Sequence, residues 1–174
     1  MKKLFLIFVS ISFLLGVQCQ RALSQERVSA YAQVSASVII PIAATETSQL
    51  NFGRFYPGTS GGTISISPDG YVMTSSTVVA DASPRSPGSF LVSGQGDATY
   101  AIDFQEGSAT LINSESKTME VSDWVTIPET SDSCMKLAGG SQTVMVGATL
   151  KVGSLDENPK GIYTGSYQIT FAYN

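Results

Sequence analysis

Apolar and polar residues alternate over residues 28–42, and this pattern constrains the fold more than any other feature of the sequence. Every even position is apolar and most odd positions are Ser, Gln or Tyr. A period of two predicts an extended strand with one apolar face. Residues 28–42 would span about 50 Å at about 3.3 Å per residue, about twice an ordinary strand. We therefore predict a projecting extension followed by the domain's first strand, which ends at Pro41. The alternative is one long, bent edge strand within its own domain.

The C-terminal residues show the same alternation. Residues 161–173 form the last predicted strand, and the sequence ends one residue later. Since no tail follows, we expect this strand to close the sheet. Its polar face carries Thr164, Ser166, Gln168 and Thr170. Its apolar face carries Tyr163, Gly165, Tyr167, Ile169, Phe171 and Tyr173.

Between these two ends, short β-rich runs are separated by turn residues, and no helical period is present. The turns have the expected chemistry, as in Pro68-Asp69-Gly70 and Gly139-Gly140. Many short strands at regular spacing predict an all-β, antiparallel two-sheet sandwich of the immunoglobulin-like type. The predicted strands in this region are 63–66, 71–73, 89–92, 99–104, 118–125 and 144–152.

The N-terminus matches a secretory signal peptide. Two lysines precede an apolar run over residues 4–17, which is shorter than the about 20 residues of a membrane-spanning helix. Cleavage after Ser24 fits the small-x-small rule better than cleavage after Cys19. Lipid attachment at Cys19 is the weaker alternative, because the preceding residue is Gln rather than a small residue. We therefore predict an exported protein with a signal peptide over residues 1–24 and a single domain over residues 25–174.

The composition excludes several classes of chemistry. The sequence has no His, which rules out Ser-His-Asp hydrolases, Cys-His proteases and His-based zinc sites. After removal of residues 1–24, seven cationic residues face 14 acidic ones, a balance that argues against nucleic acid or an anionic membrane as a partner. Cys134 is then the only thiol, which precludes an intramolecular disulfide and predicts a small buried hydrophobe. We predict no catalytic residue, no metal or cofactor site, and no transmembrane segment in the processed chain.

Several blocks of sequence, taken together in their order and spacing, resemble a known family. The blocks are Leu50-Asn51-Phe52-Gly53, Pro57-Gly58-Thr59, Gly61–Gly70, Gly88-Ser89-Phe90, Val146–Leu150 and Gly161–Tyr167. They resemble an uncharacterised family of secreted bacterial β-sandwich proteins, which is itself similar to the archaic chaperone–usher pilins of the spore-coat-protein-U type. The resemblance covers residues 28–174. Chaperone–usher subunits typically have a penultimate aromatic residue and a Gly fourteenth from the C-terminus, here Tyr173 and Gly161.

The resemblance implies a pilin-like sandwich that lacks one strand, so that an apolar groove and two strand edges are open. In such subunits a periplasmic chaperone covers the groove first, and the N-terminal extension of the next subunit then fills it. The resemblance places the donor strand at residues 28–34, with an apolar face formed by Val28, Ala30, Ala32 and Val34. It places the acceptor groove and terminal strand at Gly161, Tyr167, Ile169, Phe171 and Tyr173. Pilins of this type usually have a disulfide that ties the first strand to its neighbour, which the processed chain cannot form.

These observations predict a non-catalytic structural protein of the periplasm, cell surface or medium. It would be a pilus-like subunit or adhesin that assembles with other subunits of the same or a related fibre by strand addition. The alternative is a self-complete secreted binding module, for example for carbohydrate, with Trp124 stacking on the sugar. A single Trp in a sandwich more often belongs to the core, and we predict this for Trp124. Asp103 and Glu106 are predicted to be surface charges rather than a catalytic pair.

Overall fold

The computed structural model describes residues 27–75, 78–80, 83–129 and 135–174, with only the backbone described for residues 78–80. The predicted signal peptide and both cysteines lie outside these residues. The chain forms two units, one that ends at Ser37 and a folded unit, Val38–Asn174. The described strands of the folded unit are β1 (Ala43–Ser48), β2 (Phe55–Pro57), β3 (Gly62–Ile66), β4 (Val72–Thr74), β5 (Val78–Ala80), β6 (Gly88–Ser93), β7 (Tyr100–Phe104), β8 (Ala109–Ile112), β9 (Thr118–Ile127), β10 (Ser141–Val152) and β11 (Ile169–Tyr173).

The main sheet is antiparallel, has seven strands and is built around β10. β9 pairs with one edge of β10, while the other edge is shared by β6 along residues 141–146 and by β3 along residues 148–152. Gly147 lies between these two partners. A Cβ atom on Gly147 would be 2.3 Å from the carbonyl oxygen of Ile66. The backbones therefore approach so closely at this junction that only glycine fits.

The second layer is a two-stranded antiparallel sheet of β7 and β11, and β2 pairs with β5 in a further short ladder. Inward-facing side chains of β6, β7 and β10 meet in one buried cluster, so the two layers pack as a sandwich. The even-numbered residues of β10 from 144 to 152 are all buried. The all-β sandwich predicted from the sequence is confirmed.

The core consists of two clusters that aromatic residues connect. The first cluster includes Ile64 and Leu150, and the second includes Tyr100 and Val144. The rings of Trp124 and Tyr167 pack against both clusters, with their centroids 4.7 Å apart. The prediction that Trp124 belongs to the core is therefore confirmed.

The N-terminal alternation does not form the predicted first strand. Within the described part of the chain, residues 27–42 lie in no strand, and β1 begins after Pro41 instead of ending there. The edge of β6 is occupied by β1, with Ala43 opposite Ser93. Alternation shows which face of a strand is apolar, but a strand also needs an edge with which to pair. The predictions of a first strand that ends at Pro41 and of one long edge strand are both wrong.

The predicted strand over residues 161–173 exists only over its last five residues, Ile169–Tyr173. Thr164 forms an isolated bridge with Ile112 of β8, whereas β11 pairs with β7. Because β8 belongs to the main sheet and β7 to the second layer, the chain crosses between layers after Thr164. A single strand cannot pair in both sheets, so the prediction of one continuous strand is wrong.

Candidate strand-acceptor site

The last strand, β11, is paired along one edge. Its residues pair with β7, with Phe171 opposite Ile102, and no other described strand pairs with it. The Asn174 N–H donates to the Thr99 carbonyl at 3.2 Å and continues the ladder. In an antiparallel pair the bonding direction alternates, so Ile169, Phe171 and Tyr173 direct their N–H and C=O groups away from β7. We call this side the open edge of β11.

Apolar side chains next to the open edge are incompletely covered. The half-buried residues that pack against the second core cluster include Ile42, Phe90, Ile169, Phe171 and Tyr173. The ring of Phe171 lies 5.9 Å from that of Phe90 and 6.3 Å from that of Tyr100. The side chains that follow the open edge therefore form an apolar surface that joins both layers of the sandwich.

A second strand edge borders the same part of the core. β1 pairs with β6, and no other described strand pairs with it. Ile42, immediately before β1, packs against the same cluster as Phe171 and Tyr173 of β11. Residues at the edge strands of the two layers, β1 and β11, therefore pack against the same core cluster.

The Tyr167 side chain borders this apolar surface where the surface meets the core. Its ring packs edge-on to Phe90 with centroids 6.3 Å apart, and its hydroxyl is buried without a hydrogen-bond partner among the described residues. Burial, with a contribution from the Glu46 carboxylate, raises the pKa of Tyr167 to about 12. Tyr167 is therefore a neutral, packed residue at neutral pH.

The penultimate residue, Tyr173, uses its hydroxyl to contact two other segments. The Gln95 N–H donates to Tyr173 Oη at 2.6 Å, and the hydroxyl donates to the Ile40 carbonyl at 2.8 Å. The Ile40 N–H in turn donates to Gln95 Oε1 at 3.3 Å. Residue 40, where the N-terminal segment meets the folded unit, is thereby attached to the C-terminal end of β11.

The predicted acceptor residues are not all together. Tyr167, Ile169, Phe171 and Tyr173 share the second core cluster. Gly161 does not join them, because it lies against Asn113, with an ideal Cβ 3.2 Å from Asn113 Nδ2. Sequence reasoning did not assign Phe90, Ile42 or Gln95 to the site. No pattern in a six-residue strand or a Gly-Gln-Gly turn shows which position will face an open edge.

The predicted donor residues lie in the other unit of the chain. All residues over 27–41 are exposed and lie in no strand of the described structure. The exposed fraction is 88% at Val28, 96% at Val34 and 98% at Val38. The even-numbered residues of this segment, which include Ala30 and Ala32, are therefore apolar and not covered by any described residue.

A small cavity opens beside the aromatic residues. It has a volume of about 220 Å³. Aromatic and polar side chains share its wall. The lining residues include Phe104, Glu106, Ser108, Tyr167 and Gln168. The cavity therefore presents a ring face together with hydrogen-bonding groups.

The sequence model of one protein family, described as a domain of unknown function (DUF4402), matches residues 42–173. The chain belongs to the DUF4402 family. A search of curated proteins finds no match to the chain. The DUF4402 match begins at Ile42, the half-buried residue before β1, and ends at Tyr173. It thus includes all eleven described strands, with the edge strands β1 and β11 and the Tyr173 hydroxyl, and it leaves out the exposed segment 27–41.

No group of three or more Cys, Asp or Glu side chains in the described ranges could hold a metal ion. No helix of the part that the structure describes is long and apolar enough to cross a membrane.

Proposed function

We propose that this DUF4402 protein is a non-catalytic, exported structural subunit that assembles by strand addition, as a pilus-like fibre subunit or an adhesin. The open edge of β11 is the observation that carries the proposal. It combines outward-directed backbone groups with half-buried aromatic side chains. Backbone groups at such an edge provide affinity for an added strand, and alternate side chains provide its register.

The composition of β11 supports this role. Protein edge strands usually carry charges, prolines or bulges that prevent pairing with other chains. The sequence of β11, Ile-Thr-Phe-Ala-Tyr, has no charge and no proline, and its register with β7 is regular. An added strand would also cover Phe90 and Phe171, and full burial of such a side chain contributes about 1.5–3 kcal/mol.

The N-terminal segment supplies a strand of the required kind. Its even-numbered face is apolar, with Val28, Ala30, Ala32 and Val34 exposed. Nothing in residues 27–41 interrupts an extended conformation before Pro41. The side chains are small, which suits shallow depressions between aromatic rings better than deep pockets.

Strand addition between these surfaces produces an open assembly. The donor segment and the acceptor edge are different parts of the chain, so the contact is heterologous and repeats without closing. The partners in this proposal are other subunits of the same or a related fibre. A periplasmic chaperone would protect the β11 edge before assembly, as the resemblance to chaperone–usher pilins implies.

The mass of the protein in solution tests this proposal. A chain of residues 25–174 and a shorter chain that starts at Val34 are compared by size exclusion with light scattering. We expect a ladder of oligomers from the longer chain and a monomer from the shorter one, which has lost Val28, Ala30 and Ala32. Monomers from both chains would contradict strand addition, and oligomers from both would exclude residues 28–33 as the donor.

A self-complete secreted binding module is the second candidate. The cavity of about 220 Å³ beside Phe104 and Tyr167 favours it, because ring faces with nearby polar groups are common in carbohydrate sites. Trp124 stacks on Phe104 at a centroid distance of 5.2 Å, so its fluorescence reports on this region. A glycan that changes Trp124 fluorescence in a saturable way, with a monomeric protein, would favour this candidate over strand addition.

A further inference from the structure

The two ends of the folded unit meet at the Tyr173 hydroxyl. This one oxygen accepts a hydrogen bond from the Gln95 N–H at 2.6 Å and donates one to the Ile40 carbonyl at 2.8 Å. Gln95 also accepts from the Ile40 N–H through its side chain at 3.3 Å. Ile40 therefore has both backbone groups bonded to the Tyr173–Gln95 pair, although its side chain is 58% exposed.

The backbone at Gly94 leaves space for the Tyr173 hydroxyl, and we call this position the seat of the hydroxyl. A Cβ atom on Gly94 would be 2.1 Å from Tyr173 Oη and 3.0 Å from Leu137 Cδ1, so a side chain at Gly94 would displace the ring. The Gly94 N–H donates to the Gly140 carbonyl at 3.0 Å, which fixes the backbone beside the seat. The turn after β6 thus gives the Tyr173 hydroxyl a fixed hydrogen-bond donor and fixed packing neighbours.

The strand that carries Tyr173 is held less firmly. β11 has a strand partner on one edge alone among the described strands, and none of its residues is fully buried. Elements with few partners and little burial open locally at a low free-energy cost. A strand added to the open edge would bond the outward groups of Ile169, Phe171 and Tyr173. It would therefore suppress opening of β11 and keep the Tyr173 hydroxyl on Ile40.

We propose that Tyr173 and Gln95 form a latch, a pair of residues whose hydrogen bonds to Ile40 respond to occupation of the open edge of β11. Occupation of that edge orders residue 40, which we call the root of the same subunit's N-terminal segment. The occupant is the N-terminal segment of a second copy of this chain, so the inference rests on the proposed function and adds its regulation. A subunit that has received a strand holds the root of its own donor segment in one orientation. The donor segment then loses less conformational entropy when it adds to the next subunit, because its root is already ordered.

The coupling favours growth of an existing assembly over the start of a new one. Coupling between two sites is reciprocal, so an ordered root at residue 40 also favours the state in which β11 stays paired with β7. Addition to a subunit already in an assembly is therefore favoured over pairing of two isolated subunits. The latch makes assembly cooperative without any contact between the two exchanged segments.

Amide hydrogen exchange tests the latch in the full processed chain. A chain of residues 25–174 carrying Ala30→Asp and Ala32→Asp, which we call the donor-blocked chain, keeps the acceptor edge but cannot donate. The probe is a synthetic peptide of residues 27–39. We expect the peptide to slow exchange at Ile169 and Phe171 and also at Ile40 and Gln95. The slowing at Gln95 should be about tenfold, the effect of one or two net hydrogen bonds.

Two further substitutions identify the latch. Tyr173→Phe in the donor-blocked chain keeps the ring but loses the hydroxyl, so the peptide should slow exchange at Phe171 and no longer at Ile40 or Gln95. Gln95→Ala keeps Tyr173 and should lose the effect at Ile40 alone, which provides a test if Tyr173→Phe folds poorly. Slowing at Ile40 in both variants, or slowing at Phe171 without slowing at Ile40 in the donor-blocked chain, would overturn the latch. No slowing at Ile169 or Phe171 would reject strand addition itself and the latch with it.

Discussion

The Tyr167 hydroxyl lies against the backbone of Gly88, the first residue of β6, and occupies the space that a side chain at position 88 would need. A Cβ atom on Gly88 would be 2.7 Å from Tyr167 Oη and 3.4 Å from the Val146 Cβ. The hydroxyl is buried without a hydrogen-bond partner among the described residues. Packing, not hydrogen bonding, therefore holds this ring between the layers, and Gly88 provides the space.

Gly88→Ala should destabilise the protein by overpacking. We expect a loss of about 1–3 kcal/mol in the free energy of unfolding, measured by urea denaturation. Gly107→Ala is the matched control, because nothing lies within 4 Å of an ideal Cβ there, and it should change stability by less than about 0.5 kcal/mol. Adding Tyr167→Phe to Gly88→Ala removes the clashing oxygen and should recover part of the loss. Equal losses in the two alanine variants, or no recovery with Tyr167→Phe, would contradict this account.

Stability should fall at alkaline pH because of Tyr167. Burial, with the Glu46 carboxylate adding to it, raises the pKa of Tyr167 from 10.0 to about 12. Between these values the unfolded chain has lost the phenol proton while the folded chain keeps it. The unfolded state binds fewer protons there, so the free energy of unfolding decreases as pH rises from 10 towards 12.

Tyr167→Phe provides the comparison for this pH dependence. Urea midpoints of both proteins are measured at neutral pH and at several values above pH 10. Burial also raises the pKa of Tyr100, and this contribution is common to both proteins. We expect the parent protein to lose stability more steeply than the Tyr167→Phe variant. Parallel curves for the two proteins would show that the Tyr167 phenol does not titrate differently in the folded and unfolded states.

The sequence predicts the strands whose side chains make the core. β3, β6, β7, β9 and β10 all coincide with predicted runs, because each buries one face and so shows a period of two. β10 is the clearest case, with Val144, Val146 and Leu150 buried on one side. The all-β class follows from these strands, since a helix would need a different period.

The strands that the sequence does not predict lack this signal. β2 and β5 have three residues each, too few to show a period. β1 has the sequence Ala-Ala-Thr-Glu-Thr-Ser and is exposed over its first five residues, so it has no apolar face to detect. β8, Ala109–Ile112, is a four-residue strand with one fully buried position. Their pairing is decided by tertiary contacts rather than by local pattern.

The candidate site was predictable in part for the same reason. The alternation over residues 161–173 identified Ile169, Phe171 and Tyr173, which do share one face. It gave no indication that the chain changes layers after Thr164, because the alternation continues through the crossing. The contact of Tyr173 with Ile40 joins residues 133 positions apart, and no local pattern in a single sequence contains that information.

Gly147→Ala should be more destabilising than Gly88→Ala. The atoms that an added Cβ would meet are backbone, namely the Ile66 carbonyl oxygen at 2.3 Å and the Pro68 nitrogen at 2.8 Å. Backbone atoms at the junction of three paired strands cannot rotate away as a side chain can. We expect a loss of about 3 kcal/mol or more in the free energy of unfolding, at the upper end for overpacking. Gly96→Ala is the control, because an ideal Cβ there would lie 3.8 Å from the Gly140 nitrogen. A similar loss in both variants would show that the junction tolerates a methyl group.

Two aspartate substitutions on opposite faces of the N-terminal segment test which face is the donor. Ala32→Asp places a carboxylate on the even-numbered face, and Gln33→Asp places the same charge one residue away on the odd-numbered face. Both positions are exposed and lie in no described strand, so neither substitution should change the fold of the monomer, which circular dichroism at low protein concentration checks. Burying an unpaired carboxylate in an apolar groove costs several kcal/mol.

Ala32→Asp should therefore abolish oligomers in light scattering, whereas Gln33→Asp should retain them, because an odd-numbered side chain of an added strand faces solvent. The peptide of residues 27–39 should compete with assembly of the parent chain, and the same peptide with Ala32→Asp should not. If the two variants assemble equally well, or if both lose assembly, the even-numbered face is not what enters the β11 edge. The comparison holds net charge, position and segment length nearly constant, so a difference between the variants reports the direction in which the side chain points.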